Sequence, residues 1–330
     1  MIEVKHLTKV YGNNTAVDDL TFTVEEGKIY GFLGPNGAGK STTMNIITGC
    51  LSATKGDVSI GGYDIFEDAE KARALIGFLP EHPPLYLDMT PEEYLYFVSE
   101  AKGVPKNRRK EDVEHAISVT KLDHMRHRLC KNLSKGYRQR VGIAQSILGD
   151  PQVIILDEPT VGLDPLQIIE IRELIRELGK KHTVILSSHI LSEVRSVCDR
   201  VLIIANGRLV ADDTPDNLEN LLTGQHTVTM QLKAAEQDVR AALADVTGIV
   251  SLSCSENNGI TEAVLNVKSD EDVREQVFYA CAAAKCPILG MTHNQLSLED
   301  IFIELVAAEK ADKAAQDNIS EEVNVDDSNI

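Results

Sequence analysis

The stretch Gly34-Pro35-Asn36-Gly37-Ala38-Gly39-Lys40-Ser41-Thr42 fits the pattern G-x-x-x-x-G-K-[ST] at every fixed position. It reads as a phosphate-binding loop. Gly34, Gly37 and Gly39 let the backbone curl so that successive N–H groups, and the positive end of the next helix, face phosphate oxygens. Lys40 adds a point charge and Ser41 a magnesium ligand. The flanks agree with the motif: residues 28–33 are apolar enough for a buried parallel strand, and residues 41–50 carry the helix that should follow it. The segment predicts a nucleoside triphosphate site on an α/β sheet.

Outward from this loop, residues 2–222 alternate short Val/Ile-rich runs with longer amphipathic segments, which predicts parallel strands with crossover helices in one nucleotide-binding domain, residues 1–223. Between Thr90 and Gly149 the strand signal stops. Pro91 opens one helical run, and residues 108–120 and 135–148 carry helical periodicity, so a helical insert over about 82–150 is expected. Strands resume at Val153–Leu156, near Thr183–Ser188 and at Arg200–Ala205. After Gly224 the order changes to β-α-β-β-α-β, which predicts a small α+β ferredoxin-like domain over 224–308. Its closing helix, residues 297–308, would turn Leu298, Ile301, Phe302, Leu305 and Val306 to one face. Residues 309–330 are acid-rich without an aromatic anchor and are expected to be disordered.

Composition narrows the class. In 330 residues, 43% hydrophobic and 25% charged content is that of a soluble globular chain of two or three domains. A net charge of −18 opposes non-specific binding to nucleic acid or anionic lipid. The apolar runs fall far short of the roughly 18 residues needed to cross a bilayer, and Met1-Ile-Glu-Val-Lys5 lacks the apolar core of a signal peptide. The expectation is a cytoplasmic protein whose membrane role, if any, runs through a protein partner. The six cysteines form no C-x-x-C pair and read as reduced thiols without chemistry.

Two further segments complete a candidate site. The apolar strand Val153–Leu156 ends in Asp157-Glu158-Pro159, and consecutive acids at the end of a buried strand are costly without a cation. Asp157 can reach magnesium, and Glu158 can orient or deprotonate a water. His189, at the end of the next core strand, could hydrogen-bond a terminal phosphate.

Taken together these residues resemble the ATP-binding cassette (ABC) ATPases, the motor subunits of ABC transporters, over residues 1 to about 222. Leu133-Ser-Lys-Gly-Tyr-Arg-Gln-Arg140 is similar to the family's signature segment, Gly162-Leu-Asp164 to its D-loop, and Ser188-His189 to its switch histidine. Lys9-Val-Tyr11-Gly12 matches its adenine-stacking aromatic. The resemblance implies ATP and Mg2+ as ligands: Tyr11 on adenine, Gly34 to Thr42 on the phosphates, Ser41 and Asp157 on the metal, Glu158 on the water and His189 on the γ-phosphate. It also implies a head-to-tail dimer, most simply a homodimer, in which Ser134 and Gly136 close over the partner's ATP. A separate transmembrane permease would hold the protein on the inner face of the membrane. Ser297-Leu-Glu-Asp-Ile-Phe-Ile-Glu304 and the segments above are most similar to the multidrug and gliding-motility exporter branch.

The chain departs from the family pattern in two places. Lys135 and Tyr137 replace a glycine and a glutamine of the signature, and a lysine at a helix start opposes the helix dipole unless a bound phosphate offsets it or the side chain turns to solvent. Glu81 stands where the family carries a glutamine that senses magnesium and water; it keeps an oxygen at the same reach.

Five aromatics, Phe78, Tyr86, Tyr94, Tyr96 and Phe97, crowd positions 78–97, where ABC transporters receive a helix of the membrane subunit. Tyr86 and Leu87 are the expected docking residues, with Tyr94, Phe97 and Val98 sharing one helical face. Two other readings stand beside the motor. A nucleic-acid or ribosome ATPase would need a long coiled coil or paired basic cassettes, which this acidic chain lacks. A nucleotide-sensing regulator would hold ATP and turn it over slowly.

Overall fold

From Ile2 the chain alternates buried and exposed side chains, the mark of a sheet covered on one face, and this decides how the N-terminus folds. The computed structural model describes residues 1–221, 225–257, 259–268 and 272–294. The expected closing helix over 297–308 and the acidic tail lie outside them. Strands β1 (Ile2–Tyr11) and β2 (Asn14–Val24) pair antiparallel, then β3 (Ile29–Leu33), buried throughout, leads through the phosphate loop into α1 (Lys40–Ile47). Next come β4 (Lys55–Ile60), β5 (Tyr63–Asp64), α2 (Ala69–Ala74) and β6 (Ile76–Leu79). Three helices follow without a strand between them: α3 (Pro91–Ala101), α4 (Lys106–Val119) and α5 (Lys135–Ile147). The sheet resumes with β7 (Val153–Leu156), α6 (Pro165–Gly179), β8 (Thr183–Ser188), α7 (Leu191–Val197), β9 (Arg200–Ala205), β10 (Arg208–Asp213) and α8 (Pro215–Leu221).

These strands make two sheets. One has the order β10-β9-β3-β8-β7-β6, parallel from β9 to β6, with β10 antiparallel at its edge. The other is the antiparallel sheet β2-β1-β4-β5. This corrects the expectation of parallel strands throughout: β1 and β2 alternate instead of forming apolar runs, and an alternating strand with one wet face suits an antiparallel sheet. Phe22 and Phe32 meet at 5.7 Å between centroids in the core shared by the two sheets.

In the helical segment Thr90 caps α3 in a reciprocal capping box with Glu93, and Pro91 takes the first helical position, where its missing N–H costs nothing. The Arg126 guanidinium forks between Glu92 of α3 (2.7 Å) and Glu114 of α4 (2.6 Å). Helix α5 lies directly on β6. A Cβ on Gly77 would stand 1.9 Å from the Ser146 carbonyl oxygen, so that position must be glycine, and one on Gly142 would stand 2.5 Å from Leu79 Cδ1, which would have to shift. Gln145 Nε2 also donates to the Phe78 carbonyl at 2.9 Å.

Residues to Pro215 form one compact unit, and a second begins at Asp216. Within the second, β11 (Gln225–Leu232), α9 (Glu236–Leu243), β12 (Ile249–Asn257), β13 (Ile260–Lys268), α10 (Arg274–Ala283) and β14 (Ile288–Asn294) build an antiparallel sheet of order β12-β13-β11-β14. Val228, Met230, Leu265, Val239 and Val277 are in its core. Burial pushes the Cys281 thiol there up to about 11, and the Cys198 thiol of the first unit well above its usual range, so both stay protonated and inert.

Candidate functional site

Four neighbouring strands of the parallel sheet, β3, β8, β7 and β6, end at one edge, and each delivers one sequence-predicted segment there. Leu33 pairs with Ser188, Leu156 with Leu186, and Leu79 with Leu156. The phosphate loop, His189, Asp157-Glu158 and Glu81 therefore stand side by side although up to 155 residues, from Gly34 to His189, separate them, as expected where open α/β sheets bind ligands. The cleft there, of about 510 Å³, is lined by Tyr11, Asn14 and Ala16, by Asn36, Gly37 and Gly39 to Thr42, and by Glu81, Glu158, Val161 and His189; Asp157, next to Glu158, is not among the lining residues.

The loop leaves backbone donors without side-chain partners. Gly39 has φ 105°, and a Cβ there would stand 2.5 Å from the Ala16 carbonyl oxygen. It caps α1 without a side chain, so the first-turn N–H groups of the helix keep no side-chain partner. Lys40 is buried and donates to the Gly34 carbonyl at 2.8 Å and the Pro35 carbonyl at 3.3 Å. Ala38 is buried behind the loop. Tyr11 is exposed at the rim with Lys9 Nζ 5.1 Å from its ring centroid, which leaves a face for a flat base.

Asp157 and Glu158 are both buried. Ser187, at the end of β8, ties them together: its Oγ donates to Asp157 Oδ1 at 2.5 Å and accepts from the Glu158 N–H at 2.8 Å. Glu158 holds φ 47°, a left-handed conformation that a non-glycine residue keeps only under constraint. Its Oε1 lies 3.5 Å from Lys40 Nζ and its Oε2 2.9 Å from His189 Nδ1. A carboxylate only accepts, so Nδ1 carries the proton in that contact. Glu81 is exposed and, like Tyr11, lines the cleft.

Ser134 and Gly136 are not among the residues lining this cleft. Ser134 caps α5, accepting from the Tyr137 N–H at 3.4 Å, and is exposed. Gly136 is buried because Gln167 packs on it; a Cβ would stand 2.6 Å from that side chain. Lys135 is exposed, as the solvent-facing alternative has it. Its ammonium lies against the Gly162 backbone, where a Cβ would stand 2.2 Å from Nζ, and it has no anionic partner among the described residues. Tyr137 Oη lies 2.9 Å from His124 Nε2, so the residue replacing the usual glutamine is held against the preceding turn.

The aromatic patch also needs one correction. Tyr94 and Val98 face the core of the helical segment, but Phe97 is 44% exposed and stacks edge-on to Tyr86, itself 51% exposed, at 5.2 Å. A position three residues on from Tyr94 falls off the edge of the stripe made by Tyr94, Leu95 and Val98. Tyr86, Leu87 and Phe97 thus form one exposed apolar surface.

Sequence reading missed Ser187, Thr160 and Glu193. Ser187 could have been found as a hydroxyl at the end of a core strand; Thr160 and Glu193 carry no local signal. No group of three or more His, Cys, Asp or Glu among the described residues is arranged to hold a metal by itself, and no helix among them is long and apolar enough to cross a membrane.

Known proteins resemble this chain in sequence and fold. The profile of the family described as ABC transporter matches residues 17–161. An uncharacterized ABC transporter ATP-binding protein, YhcH of Bacillus subtilis, is 43% identical over 64% of this chain and 68% of its own length. The bacitracin transport ATP-binding protein BcrA of Bacillus licheniformis is 32% identical over 93% of this chain and 97% of its own. A dimeric ATP-binding cassette solved in a post-hydrolysis state with ADP and Pi superimposes with a TM-score of 0.59 and 25% identity, covering 65% of this chain and 98% of that one.

Proposed function

This chain belongs to the ABC transporter family, as one of its ATP-binding and ATP-hydrolysing subunits, and from that premise we propose that it drives an exporter whose membrane permease subunits are separate polypeptides. The observation that carries the hydrolytic role is the buried Glu158 carboxylate, held between Lys40 and His189 at the wall of the cleft. Here Glu158 orients and deprotonates the attacking water, Lys40 and the glycine-rich loop hold the phosphates, and His189 contacts the γ-phosphate. Tyr11 stacks on adenine.

The donor set fits a hard divalent cation. Ser41 and Asp157 supply oxygens, and with no closed protein cage the remaining ligands would come from phosphates and water, as magnesium prefers. Bound there, Mg2+ would neutralise charge on the phosphates; Glu81 is placed to reach the metal's water shell. Ser134 and Gly136, outside their own cleft, serve that of a second copy. One chain thus supplies two half-sites, which supports a head-to-tail dimer. The match to a bacitracin transport subunit over nearly the whole chain supports a transport role, and the exposed Tyr86, Leu87 and Phe97 suit contact with the permease.

The test compares steady-state ATP hydrolysis of the chain and of Glu158→Gln, with size-exclusion chromatography in ATP and magnesium. Turnover falls about 10²–10³-fold in the variant, which elutes as an ATP-dependent dimer while the wild type does not accumulate one. Unchanged turnover in the variant would remove Glu158 from the mechanism, and a variant that stays monomeric would remove the dimer.

A further inference from the structure

Glu193, on α7, is a buried carboxylate, 4% exposed, that touches no part of the cleft lining. Its Oε2 accepts from Thr160 Oγ1 at 2.6 Å and from Ser188 Oγ at 3.1 Å. Its Oε1 makes no hydrogen bond and faces the Arg172 guanidinium of α6 at 3.7 Å. The two hydroxyls are placed tellingly. Thr160 lies two residues beyond Glu158, on the loop that leaves β7, and Ser188 immediately precedes His189, on the loop that leaves β8.

We infer that Glu193 is a positioning residue for ATP hydrolysis: it staples the loop carrying Glu158 to the loop carrying His189 and so fixes their 2.9 Å contact. Ser187 joins the same two strands from the other side of Glu158, bonding its N–H and Asp157. Neither bond of Ser187 reaches past Glu158 or His189. Without Glu193 the segment after Glu158 and the strand end just before His189 lose their common anchor, and the left-handed backbone of Glu158 loses one of its constraints. Misplacing a catalytic group by about 1 Å costs on the order of 10²-fold in rate, whereas a nucleotide held by the loop and Tyr11 should bind as before.

The inference rests on the roles proposed above for Glu158 and His189. Its test measures kcat and KM for ATP in Glu193→Ala, Glu193→Gln and Thr160→Val, each well below its melting temperature and normalised to folded protein. Glu193→Ala lowers kcat about 10–100-fold with KM changed less than about threefold. Glu193→Gln, which keeps an acceptor oxygen for both hydroxyls, restores most of that loss. Thr160→Val, nearly isosteric and therefore safe for folding, lowers kcat several-fold with KM intact. If kcat per folded molecule stays within about twofold in both Glu193→Ala and Thr160→Val, or if KM rises in step with any fall in kcat, the inference is overturned. Glu158→Gln and His189→Ala run alongside separate the two levels: should they leave turnover unchanged, the roles of those residues fail, not merely their positioning.

Discussion

Helices α1 and α5 both begin at a glycine-bearing turn, yet their first turns are finished in opposite ways. At α1 the cap is Gly39, with no side chain to offer, and the following lysine folds back onto loop carbonyls inside the cleft. At α5 the cap is Ser134, whose hydroxyl already takes the Tyr137 N–H, and the following lysine reaches outward to the Gly162 backbone. The first start is a concave seat that needs its ligand's oxygens to satisfy it; the second is a convex edge, self-capped and presented outward. What differs is how each start is finished, and on the proposed roles it accounts for one chain offering two kinds of phosphate contact without joining them.

The comparison can be broken most severely at Gly39. Gly39→Ala forces a Cβ towards the Ala16 carbonyl at a φ of 105°, strain on the order of 1–3 kcal/mol, so titration with a fluorescent ATP analogue should show affinity weakened roughly 10–100-fold. Unchanged affinity would mean that phosphate does not sit at the start of α1. Ser134→Ala probes the convex side. It removes a cap worth about 1 kcal/mol, should leave nucleotide affinity of the single chain within twofold, and should lower turnover about tenfold if the proposed assembled site places that hydroxyl on the partner's phosphate. A loss of single-chain affinity instead would place Ser134 in its own cleft. The smallest effect belongs to Tyr11→Ala: an exposed stacking ring contributes about 1 kcal/mol, so the KM for ATP should rise roughly fivefold at constant kcat.

The concave side was legible in the sequence and much of its support was not. The phosphate loop, the strand ending at Asp157-Glu158 and His189 announce themselves because each is a short run whose chemistry is local. The sheet places them together through strand pairings that the apolar runs foreshadow. The antiparallel sheet of β1, β2, β4 and β5 was misread, since its alternation is weaker evidence than an apolar run and β1 pairs with β4 across some fifty residues. Phe97 was misplaced because a helical wheel gives the angle of a side chain but not the width of the buried stripe. Ser187, Thr160 and Glu193 are a serine, a threonine and a glutamate with unremarkable neighbours in the chain, and only the fold brings their oxygens within hydrogen-bonding distance.

The glycine pair Gly77 and Gly142 has a mechanical meaning. Gly77 lets the Ser146 carbonyl of α5 close onto β6, Gly142 takes the Leu79 side chain against the helix backbone, and the Gln145 bond pins the helix to the strand. Helix and strand therefore act as a single beam without a joint. The strand runs out towards Glu81 and the Tyr86–Leu87 surface at one end of this beam, while the helix carries Ser134 at its own start. On the proposed roles, a push delivered at the aromatic surface would reach both Glu81 and Ser134 through this one contact.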